Sequence, residues 1–276
     1  MVSEVIAANI EVHTRMADSY NKEEPHFRPE NKAKVRSKLE HLKKTEHDVM
    51  LDLGCGTGFI IALAQDLFGE IHGVDVTQAM LNKVDVSHGN ITLHNTPAES
   101  LPFENGYFDI VTAYAFIHHV EDYTKILRES LRVLKPGGVV YVDLEPNRLY
   151  WAAIKDIEQH NPIDKRDLSS IVAKEIDSVL HTDDRVQREF GIAEEIFNKA
   201  EFTKSILGGI DPWEFPRQCR EIGFSKCEVS FEWFLGQGTV MHGQSFSDAL
   251  TVEDYLRSTL PLSAHLFKYL QFVIIK

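Results

Sequence analysis

A chain of 276 residues with 43% hydrophobic content is long enough for one large domain plus an elaboration, with a full core. Its formal net charge of −13 at pH 7, without a long Lys/Arg block, argues against nucleic acid, whose binding rests on neutralising phosphates. Cys55, Cys219 and Cys227 are too few and wrongly spaced for a disulfide framework or a cysteine zinc site, so no metal is expected and reduced thiols in a cytoplasmic setting are the default.

The first forty-odd residues read as two helices around a polar hinge at 21–29, with Val5, Ile6, Ile10, Val12 and Met16 as apolar positions ahead of Tyr20. Glu4 interrupts the only candidate for a signal segment, and no stretch nears the roughly 18 apolar residues a membrane span needs. Strand and helix patterns then alternate: strand 48–53, helix 58–68, strand 70–75, helix 78–85, strands 90–95 and 107–114, helix 122–133, strand 138–145. Alternation of this kind implies a parallel sheet with helices on both faces. From 148 to 210 the rhythm becomes helical, at 154–159, 168–180 and 193–202, with no strand candidate. A helix at 212–222, a strand at 226–234, an elaboration over 236–266 with an amphipathic stretch at 249–260, and a last strand at 270–275 complete the chain.

The most informative stretch is 49–58, where an apolar run ends in Asp52 and is followed by Gly54, Gly56 and Gly58. The glycines let the backbone turn sharply and approach a ligand closely. A dinucleotide fingerprint is spaced G-x-G-x-x-G and seats a pyrophosphate, which a carboxylate just before the glycines would repel. S-adenosylmethionine has no phosphate and presents an ammonium group, for which Asp52 is a natural partner. The same spacing argues against a nicotinamide-dependent dehydrogenase. About twenty residues beyond the glycines, Asp75 ends the second strand, where an acid can accept from both ribose hydroxyls; capping the helix after Thr77 is the plainer alternative.

With Ala98-Glu99-Ser100-Leu101-Pro102-Phe103, the segment 108–119, and Leu134-Lys135-Pro136-Gly137-Gly138 following in order, residues 45–147 resemble the class I S-adenosylmethionine-dependent methyltransferases, in their ubiquinone and menaquinone biosynthesis methyltransferase-like, small-molecule branch. The resemblance implies a Rossmann-like α/β fold: a doubly wound, mostly parallel seven-stranded sheet, the last strand antiparallel between the fifth and sixth. It implies an N-terminal helical cap (1–44), a cofactor-binding core (45–147), a helical insertion (148–210) and completion of the sheet (211–276).

The resemblance places Asp52, Gly54, Cys55, Gly56, Thr57, Gly58, Asp75, Val76, Met80 and Tyr114 with the cofactor, and Ala98 and Glu99 on its adenine side, where Pro97 stands at the position related sequences give to an acid. An N-terminal helix carrying Tyr20 is expected to fold over the cofactor, with Arg28 meeting the cofactor carboxylate bidentately. His118 and His119 are the expected general base, supported by Glu145; packing and helix capping are the alternative for the histidines. One residue too many between Gly138 and Glu145 calls for either a bulge or Asp143 in the place of Glu145. His13, His72 and His94 lack neighbours at ligand spacing and read as surface or core histidines. The insertion reads as a substrate lid or as a dimerisation element, and Tyr150 and Trp151 as an acceptor-pocket wall or as lid packing.

The expected activity is methyl transfer from S-adenosylmethionine to a small-molecule acceptor, oxygen first and carbon second, with nitrogen and sulfur open. No Asp/Asn-Pro-Pro-Tyr segment follows the fourth strand, which disfavours amide and base nitrogens. The alternative is a non-catalytic cofactor-binding or scaffold protein. Expected partners are that acceptor and, in one reading, a second copy of the chain; nucleic acid and a membrane span are not expected.

Overall fold

The fold was described from a computed structural model covering residues 3–23, 27–160, 171–237 and 246–276. Seven strands form one sheet: β1 (Val49–Leu53), β2 (Glu70–Asp75), β3 (Ile91–Asn95), β4 (Phe108–Tyr114), β5 (Leu134–Pro146), β6 (Lys226–Phe234) and β7 (Phe267–Ile275). Their order is β3-β2-β1-β4-β5-β7-β6, with β1 to β5 parallel and β7 antiparallel to both of its neighbours. This is the expected doubly wound topology. The strand order reverses between β1 and β4, and ligands of such sheets bind beyond the carboxyl ends of strands at that point.

The central strands are buried on both faces, as parallel strands covered by helices must be. Leu51, Leu53, Val111, Val140 and Val142 pack to one side with Phe215 and Phe272, whereas Met50, Ile60, Ile71, Ile110 and Tyr141 pack to the other. The extra residue in β5 is taken up by a bulge. The pairing with β7 slips between Val142 and Glu145, and Leu144 adopts φ +58°. A bulge reverses the alternation of side chains beyond it, and Glu145 consequently keeps its position at the strand end. Asp143 does not replace it; its carboxylate accepts from Tyr141, from Gln271 at 2.9 Å and from the Leu144 N–H at 2.7 Å.

Before the sheet come α1 (Glu4–Met16), α2 (Tyr20–Glu23) and α3 (Pro29–Leu42). The Ser3 hydroxyl caps α1 by accepting from the Ile6 N–H at 3.2 Å, and Pro29 opens α3, where its missing N–H costs nothing. Helices α4 (Phe59–Ala64) and α5 (Gln78–Leu81) are shorter than the spans 58–68 and 78–85 that the apolar pattern predicts, and α6 (Tyr123–Val133) matches its span closely.

After β5 come α7 (Arg148–His160), α8 (Ile171–Leu180), α9 (Thr182–Phe190), α10 (Glu194–Ala200) and α11 (Phe202–Ser205), so α9 joins the three predicted segments; residues 161–170 lie outside the described residues. Helices α12 (Glu214–Ile222) and α13 (Phe246–Ser258) flank β6, and β7 starts at Phe267 rather than at 270. Ala8, Val12 and Met16 of α1 share an apolar cluster with Val186, Ile192, Phe197 and Ala200. The N-terminal helix and the insertion therefore pack as one cap, a long-range pairing that neither pattern announces. Tyr150 and Trp151 are buried where α7 meets α8, packed with Ile154, Ile176 and Val179.

Candidate functional site

A cavity of about 680 Å3 opens at the carboxyl ends of β1, β2 and β4, within the range usual for small-molecule sites. The glycine loop forms its floor. Gly54, Gly56 and Gly58 all have positive φ, and a Cβ on Gly54 would lie 2.1 Å from the Phe116 ring. No other residue fits there.

Asp75 ends β2 with its carboxylate held by two backbone donors, the Gly56 N–H at 2.9 Å and the Thr77 N–H at 2.7 Å. It thus ties the glycine loop to the start of α5, and the Thr77 hydroxyl caps nothing. Asp52 is only 2% exposed and accepts from the Thr112 hydroxyl at 2.7 Å. Burial raises its pKa to about 7; the Thr112 bond opposes that shift and the charge of Asp75 adds to it. Such a carboxyl is half-ionised near neutrality and is fully ionised by an adjacent cation. Cys55 is buried beside it, with a thiol pushed well above its usual pKa, so it lines the cavity without being a nucleophile.

Of the residues expected at the cofactor, Tyr20, Asp52, Gly54, Cys55, Gly56, Thr57, Asp75, Val76, Met80, Ala98, Glu99 and Tyr114 line this one cavity. Gly58 does not; it ends the loop at φ +86° and packs towards Val84. Arg28 does not either. It is exposed ahead of α3 and makes no cap bond, so the bidentate contact expected of it has no support in the geometry. His26, of the same hinge, lies outside the described residues. Tyr20 is 6.1 Å from the ring of His13, and the Asn21 side chain next to it accepts from Thr57 at 2.5 Å, which fastens α2 over the glycine loop.

The expected catalytic trio separates. A turn of 3₁₀ helix (Ile117–His119) follows β4, and the fully buried Glu145 carboxylate accepts from the N–H groups of Phe116, Ile117 and His118 at 2.9, 2.8 and 3.0 Å. It also accepts from His118 Nδ1 at 2.9 Å. Glu145 and His118 therefore lock the turn, and neither lines the cavity. His119 does line it, but its Nδ1 donates to the Ala200 carbonyl at 2.9 Å instead of to Glu145. Burial and the rings of His118 and His13 hold the His119 pKa well below its usual value, against the opposing Glu201 carboxylate and Ala200 carbonyl. His119 is consequently neutral, with a lone pair on Nε2.

Glu201, between α10 and α11, was not signalled by the sequence. It lies 3.8 Å from His118 Nε2 and 3.7 Å from His119 Nδ1, and it holds Lys204 at 2.5 Å. Burial alone would raise its pKa, yet the Lys204 ammonium and the two imidazoles keep it well below the usual carboxylate range. The two histidines and Glu201 offer ligand atoms within 4.8 Å of one another, a spacing open to a metal ion, but Lys204 already supplies a cation there. His13 is the second residue that sequence reasoning set aside. It lines the cavity, with its ring edge-on to His119 at 5.0 Å. The roof is α1, which the Asn9 side chain ties to the His119 carbonyl at 3.1 Å; among the described residues of 148–210 none lines this cavity.

Comparison with known proteins agrees with this construction. Residues 51–142 match the family model described as a methyltransferase domain. A probable S-adenosylmethionine-dependent methyltransferase of Mycolicibacterium smegmatis is 31% identical over 140 residues, covering 48% of this chain and 50% of that protein. The demethylmenaquinone methyltransferase of Staphylococcus aureus is 42% identical over 96 residues, covering 33% and 40%. The chain thus spans half or less of the length of these curated relatives. Two solved structures share the fold at 17% identity: the YcgJ protein of Bacillus subtilis (TM-score 0.53, 88% of this chain and 98% of that one) and an S-adenosylmethionine-dependent methyltransferase of Archaeoglobus fulgidus (TM-score 0.52, 89% and 92%). The strand order and these neighbours give the chain the mostly parallel, Rossmann-like class I fold. Among the described residues no helix is long and apolar enough to cross a membrane.

Proposed function

We propose that this chain transfers the methyl group of S-adenosylmethionine to a small-molecule acceptor, with oxygen as the first choice and carbon as the second. The observation that carries the reading is the meeting of Asp75, the glycine loop and neutral His119 in one cavity. Asp75 would hold the ribose hydroxyls, Asp52 would face the amino acid end of the cofactor, and the backbone of Ala98 and Glu99 would meet the adenine.

A sulfonium methyl is already electrophilic, so positioning supplies most of the rate. The remaining task is removal of the acceptor proton, which His119 Nε2 suits. The α1 roof over the cavity packs against the insertion, which supports a capping role in which the insertion holds α1 in place and leaves association of two copies open. Incubation with S-adenosylmethionine and a small-molecule extract should yield S-adenosylhomocysteine and one methylated product. Cofactor binding without any turnover would favour the non-catalytic reading.

Asp52 gives the site a pH signature. In the free protein its carboxyl titrates at about 7; a bound ammonium or sulfonium favours the ionised form, so below that pH binding must expel a proton. Cofactor affinity should therefore fall about tenfold between pH 8 and pH 6, following the protonated fraction of Asp52. Calorimetry across that range should show the fall in the wild type and not in Asp52→Asn.

A further inference from the structure

Resting on that reading, we propose that Thr112 is a positioning residue for the cofactor: from the neighbouring strand its hydroxyl holds the Asp52 carboxyl in the place, and in the charged form, that the amino acid end of S-adenosylmethionine requires. The two residues are register partners on β1 and β4, the strands between which the order of the sheet reverses. Thr112 is fully buried, and Asp52 nearly so. The Thr112 hydroxyl has two acceptors within reach, Asp52 Oδ1 at 2.7 Å and the Leu51 carbonyl at 3.3 Å. Its single proton goes to the nearer, charged one.

Packing does not call for a hydroxyl at this position. Ile110, Val111 and Ala113 make the rest of this stretch of β4 apolar and buried, and valine would fill the threonine's volume and suit a strand equally well. Burying a hydroxyl costs free energy unless it is hydrogen-bonded. What threonine adds over valine is therefore its bond to Asp52, the one donor that this carboxylate has among the described residues.

The other surroundings work against the charge. Asp75, at the end of β2, is a second carboxylate whose field disfavours ionisation of Asp52, and Cys55, in the glycine loop, carries a buried thiol. Tyr114, further along β4, accepts from the Asn31 side chain at 2.8 Å. Among the described residues no Lys, Arg or His charge offsets the burial of Asp52. Thr112 is thus the side chain of the free protein that favours the carboxylate, because a hydroxyl donates more strongly to a carboxylate than to a neutral acid. The cofactor's ammonium then meets a negative charge already fixed by one oxygen.

The test follows the Asp52 carboxyl carbon resonance in the free protein, and the calorimetric affinity for S-adenosylmethionine, from pH 6 to pH 9 in the wild type, Thr112→Val and Thr112→Ser. The valine variant should titrate about one pH unit higher than the wild type, the effect of one hydrogen bond to a charged group. Its affinity should be about tenfold weaker than the wild type's at pH 6 and within about twofold of it at pH 9. Serine restores the hydroxyl and should return both curves to the wild-type midpoint. A threonine that only packs would leave the midpoint in place and weaken binding evenly across pH. An Asp52 midpoint that stays put in folded Thr112→Val, or moves as far with serine as with valine, would overturn the proposal. A raised midpoint with an unchanged affinity profile, or no binding to the wild type, would instead overturn the reading of Asp52 as a cofactor group. Should the valine variant not fold, the wild type decides: its Thr112 hydroxyl proton resonance should move with the Asp52 midpoint, and a resonance constant through that titration would overturn the proposal.

Discussion

Glu145→Ala should destabilise the protein by on the order of 3 to 5 kcal/mol, because it strands three backbone N–H groups and an imidazole N–H in the interior, each costing about 1 to 3 kcal/mol when not re-satisfied. The carboxylate is wholly buried and accepts from all four donors within 3.0 Å. Denaturant unfolding should show the midpoint falling with an unchanged slope. Glu145→Gln should recover only part of the loss, since an amide has one acceptor oxygen where the carboxylate uses two. A loss below about 1 kcal/mol for the alanine variant would mean that the turn is held by something other than this side chain.

His119→Ala should lower kcat by about 10² to 10⁴ with little change in cofactor affinity, because the imidazole acts on the acceptor. The sign of the pH dependence follows from its environment. A base must be unprotonated to act, and His119 is held well below the usual histidine pKa by burial and by His118 and His13, although Glu201 pulls the other way. The rate should therefore stay level down through the ordinary histidine range and fall only at lower pH. Glu201→Gln removes the carboxylate that favours the imidazolium and should move that acidic limb lower still. His118→Ala should act mainly on stability, as its ring faces Glu145 and not the cavity. The pH–rate profiles of the three variants separate a base from a packed histidine; an unaltered kcat and profile in His119→Ala would leave catalysis to proximity alone.

How far the sequence could be read depends on the range of the interactions involved. Asp52, the glycines and Asp75 are legible because a short strand, a sharp turn and a strand-end acid act within one βαβ unit. The bulge at Leu144 was legible as a counting problem, one residue too many between Gly138 and Glu145. The division of labour between His118 and His119 was not. The residues are adjacent in a 3₁₀ turn, and which of them meets the cavity depends on Glu145 at the end of β5 and Ala200 at the end of α10.

His13 and Glu201 were hidden for the same reason. One enters the site because Ala8, Val12 and Met16 pack α1 against the insertion, a contact spanning about 180 residues of sequence; the other reads in the sequence as an ordinary partner of Lys204 three positions on. Arg28, which the resemblance places with the cofactor carboxylate, stands exposed at the start of α3 and is not among the residues lining the cavity.

The central claim is that the cavity at the ends of β1 and β2 holds S-adenosylmethionine through Asp75. Calorimetric titration of the cofactor into the wild type and Asp75→Ala at pH 8 tests it most directly, with circular dichroism to confirm that the variant is folded. One site should be seen in the wild type, with affinity reduced about tenfold or more in the variant, as expected for loss of charged hydrogen bonds of about 1.5 to 3 kcal/mol each. An unchanged affinity in a folded Asp75→Ala protein, or no binding to the wild type, would contradict the account.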